Sequence, residues 1–406
     1  MIRSINIRER GALAAFILTI VIGGLSISSK AVTRGEILLP VPVSQSSSSW
    51  SFGVMADTQW IGADDGRNPN SVAVDIISQL NREFIKKGVK FVVQVGDITD
   101  KGTDVALDTR ATYAQALYNA GIGFFPLRGN HESKQAAAVE FTRVFPQTQN
   151  GSNNSTPVNA FVTTPDDEAT KPVKNTGSPF ILGSNFSSPS ENLKGLSYSF
   201  DYSDARFVLL DQFTPPDGAA NTIDNQQDWI SKVLSGRAAG SHAFVFAHKG
   251  IINENHVDTL FGSDPSKDAA GQDAFITSLA HNGVRYFMGG HDHMYNRSVV
   301  TTTDGAASVT DIICASDSSK FYIPKDPSND DAYDVPAFGR KRQTQLAREL
   351  NTIGYYIVTV DGPNVTVDFY SASVEATLTG KEYTITSTPP LVFAKHDTFG
   401  YSLNGK

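Results

Sequence analysis

The sequence predicts an α/β fold in which layered helices cover β-sheets that are mixed rather than purely parallel. Short apolar segments alternate with amphipathic segments through most of the chain, a pattern typical of layered α/β proteins. Hairpin patterns at residues 196–210 and 354–370 add antiparallel strand pairs. The composition of the 406 residues, 40% hydrophobic and 19% charged, is that of a globular protein and excludes disordered, collagen-like and coiled-coil classes.

Residues 1–31 have the features of an export signal. Three arginines within the first ten residues precede an apolar stretch from Gly11 to Ile27, and Ser29-Lys30-Ala31 provides small residues at a cleavage site. We expect cleavage and export to the periplasm or the medium. The alternative is an uncleaved membrane anchor, although the apolar stretch is slightly short for a span of about 20 residues. After cleavage, no segment of the sequence is apolar enough to cross a bilayer.

A polar spacer at residues 32–50 leads into a predicted domain at residues 51–375. The clearest helix pattern precedes Gly88, because Val72, Ile76, Leu80 and Phe84 recur every four residues. The next segment is apolar enough to be a strand buried on both faces. The predicted strands lie at 51–56, 89–95, 123–127, 196–202, 205–210, 243–247 and 284–288, and the helices at 68–88, 104–119, 132–144, 225–234 and 268–281.

Two segments depart from this alternation. Residues 147–193 are rich in Asn, Ser, Thr, Pro and Gly without periodicity, so we expect a surface insertion within the domain. The last predicted strand pair turns at Asp361-Gly362-Pro363. Residues 376–406 then form a C-terminal extension that we expect to pack on the domain.

Charge and cysteine content exclude several kinds of site. The chain has 34 basic and 42 acidic residues, a net charge of −8, and no basic run, so a nucleic-acid-binding surface has no electrostatic support. The single cysteine, Cys314, forms neither an intramolecular disulfide nor a cysteine zinc site. The sequence does not indicate an oligomeric state.

Five of the predicted strands end in polar clusters. Ligands of open α/β sheets bind beyond the carboxyl ends of the strands, so we expect the five clusters to converge on one site. A single cluster of this kind is more often a turn, but five in succession favour a shared function. The clusters are Asp57-Thr58-Gln59, Gly96-Asp97-Ile98-Thr99-Asp100, Gly129-Asn130-His131-Glu132, Ala247-His248-Lys249 and Gly290-His291-Asp292-His293.

The side chains in these clusters indicate a pair of metal ions. Carboxylate, amide oxygen and imidazole ligands without sulfur suit iron, manganese, zinc or magnesium-type ions. Two neighbouring cations need a bridging carboxylate to reduce their repulsion. Such a pair clamps an in-line displacement and lowers the pKa of a bound water.

The order Asp-x-Gln, Gly-Asp-x-x-Asp, Gly-Asn-His-Glu, single His and Gly-His-x-His resembles the calcineurin-like metallophosphoesterases, from Ser51 to Arg297. The sequences at 198–202, 207–211 and 227–229 are most similar to the purple acid phosphatase branch. The resemblance implies a layered sandwich of two mixed β-sheets flanked by helices. It also implies hydrolysis of phosphate esters by attack of a metal-bound hydroxide at a dinuclear site.

The resemblance also implies a role for each matching residue. The two ions would be divalent or mixed-valence, with iron, manganese and zinc favoured. The resemblance assigns Asp57 and His293 to the first metal, Asn130, His248 and His291 to the second, and Asp97 to both.

His131 takes the position of the family's substrate-contacting histidine and would stabilise phosphoryl oxygens or protonate the leaving group. Asp100 would orient that imidazole, or else cap a turn. Because purple acid phosphatases carry their iron-bound tyrosine where this chain has Asp100, we predict a colourless protein. Arg128 and Arg297 are candidates for binding the substrate phosphate, with structural ion pairs as the alternative.

Gln59 replaces the histidine of the family's usual Asp-x-His motif. An amide oxygen is a poorer ligand than imidazole for transition metals, so the first metal would bind more weakly or be a harder ion. Two alternatives stay open: a phosphodiesterase rather than a monoesterase, and a catalytically impaired binding protein on the same scaffold. Retention of the other ligands argues against the second. The expected partner is a small phosphate-ester substrate.

Overall fold

The computed structural model describes residues 49–60, 71–154, 173–252, 255–263, 265–322, 342–380 and 382–404. The predicted signal segment, nearly all of the spacer and the middle of the predicted insertion lie outside these residues. Within the described ranges, no helix has the length and apolar character needed to cross a membrane.

The described elements alternate as predicted in the first two thirds of the chain, and strands dominate the last third. In chain order they are β1 (Trp50–Met55), α1 (Val74–Lys87), β2 (Phe91–Val95), α2 (Asp104–Asn119), β3 (Gly123–Leu127), α3 (Gln135–Val144), α4 (Gln147–Asn150), β4 (Ser152–Asn153), β5 (Phe180–Ile181), β6 (Ser184–Ser187), β7 (Tyr198–Tyr202), β8 (Ala205–Leu210), α5 (Gln227–Ser235), β9 (His242–Ala247), α6 (Pro265–His281), β10 (Tyr286–Gly289), β11 (Tyr295–Thr301), β12 (Ser308–Ile313), β13 (Lys320–Phe321), β14 (Gln343–Glu349), β15 (Thr352–Asp361), β16 (Asn364–Ser373), β17 (Thr377–Thr379), β18 (Glu382–Thr384) and β19 (Ala394–Ser402).

Two mixed sheets dominate the fold, as predicted. The six-stranded sheet has the order β19-β16-β15-β1-β2-β3, and its β1, β2 and β3 are parallel. The eight-stranded sheet has the order β14-β11-β12-β10-β9-β8-β7-β6, and β8, β9, β10 and β12 are parallel at its centre. Antiparallel strands continue the six-stranded sheet beyond β1 and flank the parallel centre of the eight-stranded sheet on both sides. Each sheet therefore brings several strand carboxyl ends to one edge.

Aromatic side chains fill the space between the two sheets. Phe52 and Phe91 of the first sheet stack with ring centroids 5.3 Å apart. Phe52 also meets Phe207 and Phe244 of the second sheet edge-on, at 5.1 and 5.0 Å. Each such pair contributes about 0.5–1.5 kcal/mol beyond the apolar area it buries. This core fixes the two sheets relative to each other. It thereby also fixes the ends of their parallel strands.

Helices cover the outer faces of the sandwich. α1, α2 and α3 pack over the six-stranded sheet, whereas α5 and α6 pack over the eight-stranded sheet. Local signals set their ends: Thr103 Oγ1 accepts from Ala106 N at the start of α2, and Gly88 ends α1 in a left-handed conformation with a φ of 66°. The sequence predicted these two helices because local residues determine where they begin and end.

Several strands were not predicted. β11, β12 and β14 form one side of the eight-stranded sheet, and their polar side chains hide the alternation of a strand. The predicted insertion supplies an edge strand, β6, which pairs with β7. From the C-terminal extension, β19 completes the six-stranded sheet beside β16.

Candidate metal centre

The five polar clusters meet at the carboxyl ends of β1, β2, β3, β9 and β10. Two groups of potential ligands form there, one from Asp57, Asp97 and His293, the other from Asp97, His248 and His291. Within each group, the ligand atoms lie within 4.8 Å of one another, and all five residues are buried. Asp97 belongs to both groups. Its position between them is that of a carboxylate able to bridge two cations.

The backbone at these ligands is strained. Asp57, Asp97, His291 and His293 have φ values of 47°, 45°, 73° and 52°, in the left-handed region that residues with a Cβ seldom adopt. Each such residue costs on the order of 1–3 kcal/mol, and the surrounding structure must hold it in place. The sharp turns this produces allow four ligands to leave the strand ends toward a single point.

Glycines directly precede the ligands Asn130 and His291, and both are needed for close packing. A Cβ on Gly129 would lie 2.0 Å from Asp97 Oδ1, and a Cβ on Gly290 would lie 2.5 Å from Asp57 Oδ2. Either contact would push a carboxylate out of the site. The Gly-Asn-His-Glu and Gly-His-x-His motifs thus contain glycine because the neighbouring loop's carboxylate packs against its backbone.

Each of the three histidines has one ring nitrogen bonded to a protein oxygen outside the cluster. His248 Nδ1 lies 3.0 Å from Val95 O, and His293 Nδ1 lies 2.8 Å from Lys320 O. His291 Nε2 lies 3.2 Å from Asp258 Oδ1. In metal sites, such second hydrogen bonds fix the tautomer and the ring orientation of the ligand. The other ring nitrogen of each histidine is available as a metal ligand in the cluster.

The second group includes the amide of Asn130. His248 Nε2 lies 2.9 Å from Asn130 Oδ1 and 3.2 Å from Asp97 Oδ2. These three atoms come from three different loops and converge on one point. The resemblance assigned Asn130, His248 and His291 to one metal. The structure places Asn130 against His248, and His248 in one group with His291.

Burial and mutual attraction set the protonation of the cluster. Burial opposes a charge on His248, but the Asp97 and Asp57 carboxylates outweigh it and raise the pKa of His248 to about 9. Burial lowers the pKa of His291 to about 4, which keeps this imidazole neutral. Although burial also opposes its charge, attraction by His248 holds the pKa of Asp97 well below its usual range. A cation binding here would replace the proton shared by Asp97 and His248.

Gln59 lies inside the first group. Its Nε2 is 3.3 Å from Asp97 Oδ2 and 3.0 Å from His293 Nε2, and its buried Oε1 has no hydrogen-bond partner among the described residues. A half-turn of the amide exchanges the two atoms and presents an oxygen to the same point. An oxygen donor facing a carboxylate and an imidazole fits a cation, so the donor set as a whole suits two metal ions.

Changing Gln59 is expected to alter metal binding at the first group. Gln59→His supplies an imidazole, and we expect about tenfold tighter binding of the more weakly held Zn²⁺ ion, whereas Gln59→Ala weakens it about tenfold. Isothermal titration of metal-stripped protein measures both effects. Unchanged affinities in both variants would show that Gln59 is not a ligand.

The structure places the main-chain carbonyl of Asp100 closer to His131 than its carboxylate. His131 Nδ1 donates to the main-chain carbonyl of Asp100 at 2.8 Å, whereas the carboxylate Oδ1 is 3.7 Å from the same nitrogen. The turn after Asp97 points the carbonyl, rather than the side chain, at the imidazole. His131 Nε2 then faces the cluster, 3.7 Å from Asp97 Oδ2. The side chain of His131 is 23% exposed, so a substrate can reach it.

The two arginines predicted to bind phosphate are engaged elsewhere. Arg128 is fully buried and forms a bidentate pair with Asp211, at 2.7 and 2.9 Å. Arg297 pairs with Asp397 at 3.0 Å and lies over the ring of Phe399. Their partners come from distant parts of the chain, and neither guanidinium is free for a ligand. The structure therefore favours the alternative of structural ion pairs for both.

Glu132 organises two ligand loops, a role that the sequence analysis missed. This buried carboxylate accepts from the backbone amides of Ile98, Thr99 and Gly129 and from Thr99 Oγ1. It thereby ties the loop after β2 to the loop after β3, and so fixes Asp97 relative to Asn130. Its place in the Gly-Asn-His-Glu motif was the available signal.

A second acidic residue organises the other side of the site. Buried Asp292, between the two ligand histidines, accepts from both the backbone amide and Nδ1 of His256, each at 2.8 Å. The His256 ring stacks on His291 at a centroid distance of 4.1 Å. His256, which lies outside the sequence motifs, is thus part of the wall of the site.

Comparisons with known proteins agree with this architecture. A purple acid phosphatase from yellow lupin (Lupinus luteus) seeds matches with a TM-score of 0.50 and 15% identity, over 88% of this chain and 54% of the lupin chain. This chain therefore spans about half the length of the lupin protein. No curated protein sequence matches the chain.

Two further solved structures match at lower scores. GAP50, the anchor in the inner membrane complex of Plasmodium, matches at 14% identity and a TM-score of 0.44, over 85% of this chain and 91% of its own. A dimetal phosphatase from Danio rerio matches at 14% identity and a TM-score of 0.39, over 85% and 98%.

The sequence profile of the calcineurin-like phosphoesterases matches residues 51–295. This range begins in β1 and ends at the start of β11, so it contains all five ligand-bearing loops. The predicted resemblance is confirmed: the chain belongs to the calcineurin-like phosphoesterase family.

Proposed function

We propose that the chain is an exported phosphoesterase that hydrolyses small phosphate esters at a dinuclear centre of iron, manganese or zinc. The observation that carries this proposal is the pair of ligand groups sharing Asp97, with the partly exposed His131 beside them. Export rests on the signal-like residues 1–31, and it suits an enzyme that releases phosphate from esters outside the cell.

When bound, the two cations would withdraw charge from the phosphoryl group and lower the pKa of water. Asp97 would bridge them, with Asp57, His293 and Gln59 on one side and a second set on the other. That second set is Asn130, His248 and His291. The strained turns hold these side chains in place before substrate arrives, as do the hydrogen bonds that the histidines make to oxygens outside the cluster. Little reorganisation is therefore needed during the reaction.

His131 is placed to act on the substrate itself. Its Nδ1–H is held by the Asp100 carbonyl, so the ring cannot turn away and Nε2 stays directed at the cluster. In its protonated form, Nε2 donates to a phosphoryl oxygen or gives a proton to the departing alcohol. In this proposal water attacks phosphorus directly, and no phosphorylated side chain forms as an intermediate.

Hydrolysis of two model esters tests the proposal. Metal-stripped protein reloaded with Mn²⁺ is assayed on para-nitrophenyl phosphate and on the bis-nitrophenyl diester. We expect turnover to fall at least about 10³-fold on stripping and to return on reloading, because the metals contribute several kcal/mol to the transition state. Absence of turnover on both esters with metal bound would support a binding protein instead.

A further inference from the structure

Lys320 is a cation in the wall of the metal centre that neither the motifs nor the family match identifies. It lies in β13, which follows the buried segment Ser316–Ser319, and only 8% of its surface is exposed. Its main-chain carbonyl bonds His293 Nδ1, so its backbone is directly behind a predicted metal ligand. Two serine hydroxyls also donate to this carbonyl and fix the strand there.

The strand geometry places the Lys320 side chain on the face of β13 that looks toward the metal centre. Phe321, its neighbour, points the opposite way into the core and is fully buried. Tyr322 directly follows β13, and its ring lies 5.0 Å from the His293 ring and 4.7 Å from the His256 ring. Because side chains alternate along such a segment, we place Lys320 and Tyr322 on the side opposite Phe321, which is turned toward the metal centre.

The ammonium of Lys320 acts on the site but has no anionic partner. Burial raises the pKa of Asp100, and the charge of Lys320 offsets part of that rise. Among the described residues, no carboxylate lies within ion-pairing distance of it. Lys249, the lysine of the fourth cluster, differs in this respect because its ammonium pairs with Asp258 at 2.5 Å. A largely buried, unpaired ammonium is an anion-binding group.

We propose that Lys320 binds a non-bridging oxygen of the substrate phosphate and so favours phosphomonoesters over phosphodiesters. The inference rests on the proposed phosphoesterase function. A monoester carries two negative charges above a pH of about 6, whereas a diester carries one and presents an esterified oxygen in place of the second. A third cation beside two metal ions complements the dianion. Lys320 thus takes the phosphate-binding role that the sequence predicted for Arg128 and Arg297.

Substitution of Lys320 tests the inference. Lys320→Met keeps the length of the side chain without its charge, Lys320→Arg keeps the charge, and Lys86→Met, on the exposed face of α1, is the matched control. Each Mn²⁺-loaded protein is assayed with both nitrophenyl esters at a pH of about 8. We expect kcat/KM for the monoester to fall about 10- to 100-fold in Lys320→Met, and for the diester less than about threefold.

Two further measurements distinguish a loss of phosphate binding from misfolding and from failure of the proposed phosphoesterase function. The affinity for inorganic phosphate, measured by calorimetric titration, should fall about 10- to 100-fold in Lys320→Met. In Lys320→Arg and the control it should stay near the wild-type value. Metal content and thermal melting check that the centre is intact. Equal losses on both esters, or unchanged phosphate affinity, would overturn the inference. If the wild type hydrolyses neither ester, the parent function fails, and phosphate binding alone decides the role of Lys320.

Discussion

Replacing Asp97 with alanine should remove both metal ions and abolish turnover. Asp97 Oδ2 lies 3.2 Å from His248 Nε2 and 3.3 Å from Gln59 Nε2, and its carboxylate belongs to both ligand groups. Without it, two cations would face each other with no charge between them. We expect elemental analysis of Asp97→Ala to find little bound metal, and turnover to fall at least about 10³-fold.

Asp292→Asn is the matched control for Asp97→Ala. This carboxylate is also buried beside the centre, but it serves His256 rather than a metal. The amide keeps an oxygen acceptor in nearly the same volume, so metal content should stay near wild type. If Asp97→Ala retained both ions, or if both variants lost them equally, a bridging role for Asp97 would be contradicted.

His131→Ala should separate catalysis from metal binding. Its Nε2 faces the cluster at 3.7 Å from Asp97 Oδ2, but the ring belongs to neither ligand group. Removing a positioned acid or base costs about 10²–10⁴-fold in turnover. We therefore expect kcat to fall by that amount while metal content, measured on the same sample, changes little.

Asp100→Ala distinguishes the main-chain contact from the side chain. Because the bond to His131 Nδ1 comes from the carbonyl, which every residue carries, we expect this variant to lose less than about tenfold in kcat. A loss as large as that of His131→Ala would restore the carboxylate as the orienting group. Loss of metal from His131→Ala, with full turnover after reloading, would make this histidine a ligand and not a catalytic residue.

Local sequence signals predicted the elements that carry the site. Asp57, Asp97, Asn130, His248 and His291 each follow an apolar strand within a few residues, and parallel strands of a sheet end at a common edge. Glycine directly before a ligand was a further local signal. The α/β class was predictable for the same reason, since short stretches of sequence carry both the strand and the helix patterns. The division into two mixed sheets was expected only from the resemblance to the metallophosphoesterases.

Contacts made across long stretches of chain were not predictable. Asp258 binds His291 across 33 residues, and the Lys320 carbonyl binds His293 across 27. Arg128 meets Asp211 across 83 residues, and this pairing removes it from the pool of substrate-binding groups. Periodicity and motif spacing have no information on such pairs, because only the tertiary fold brings the partners together.

The proposed function requires this chain to bind two metal ions in order to hydrolyse phosphate esters. Its most direct test is a titration of metal-stripped wild type with Mn²⁺, in which bound metal and turnover of para-nitrophenyl phosphate are measured on the same samples. We expect saturation at two ions per chain, with turnover rising as the second ion binds. Saturation at fewer than two ions, or turnover that is independent of metal content, would contradict it.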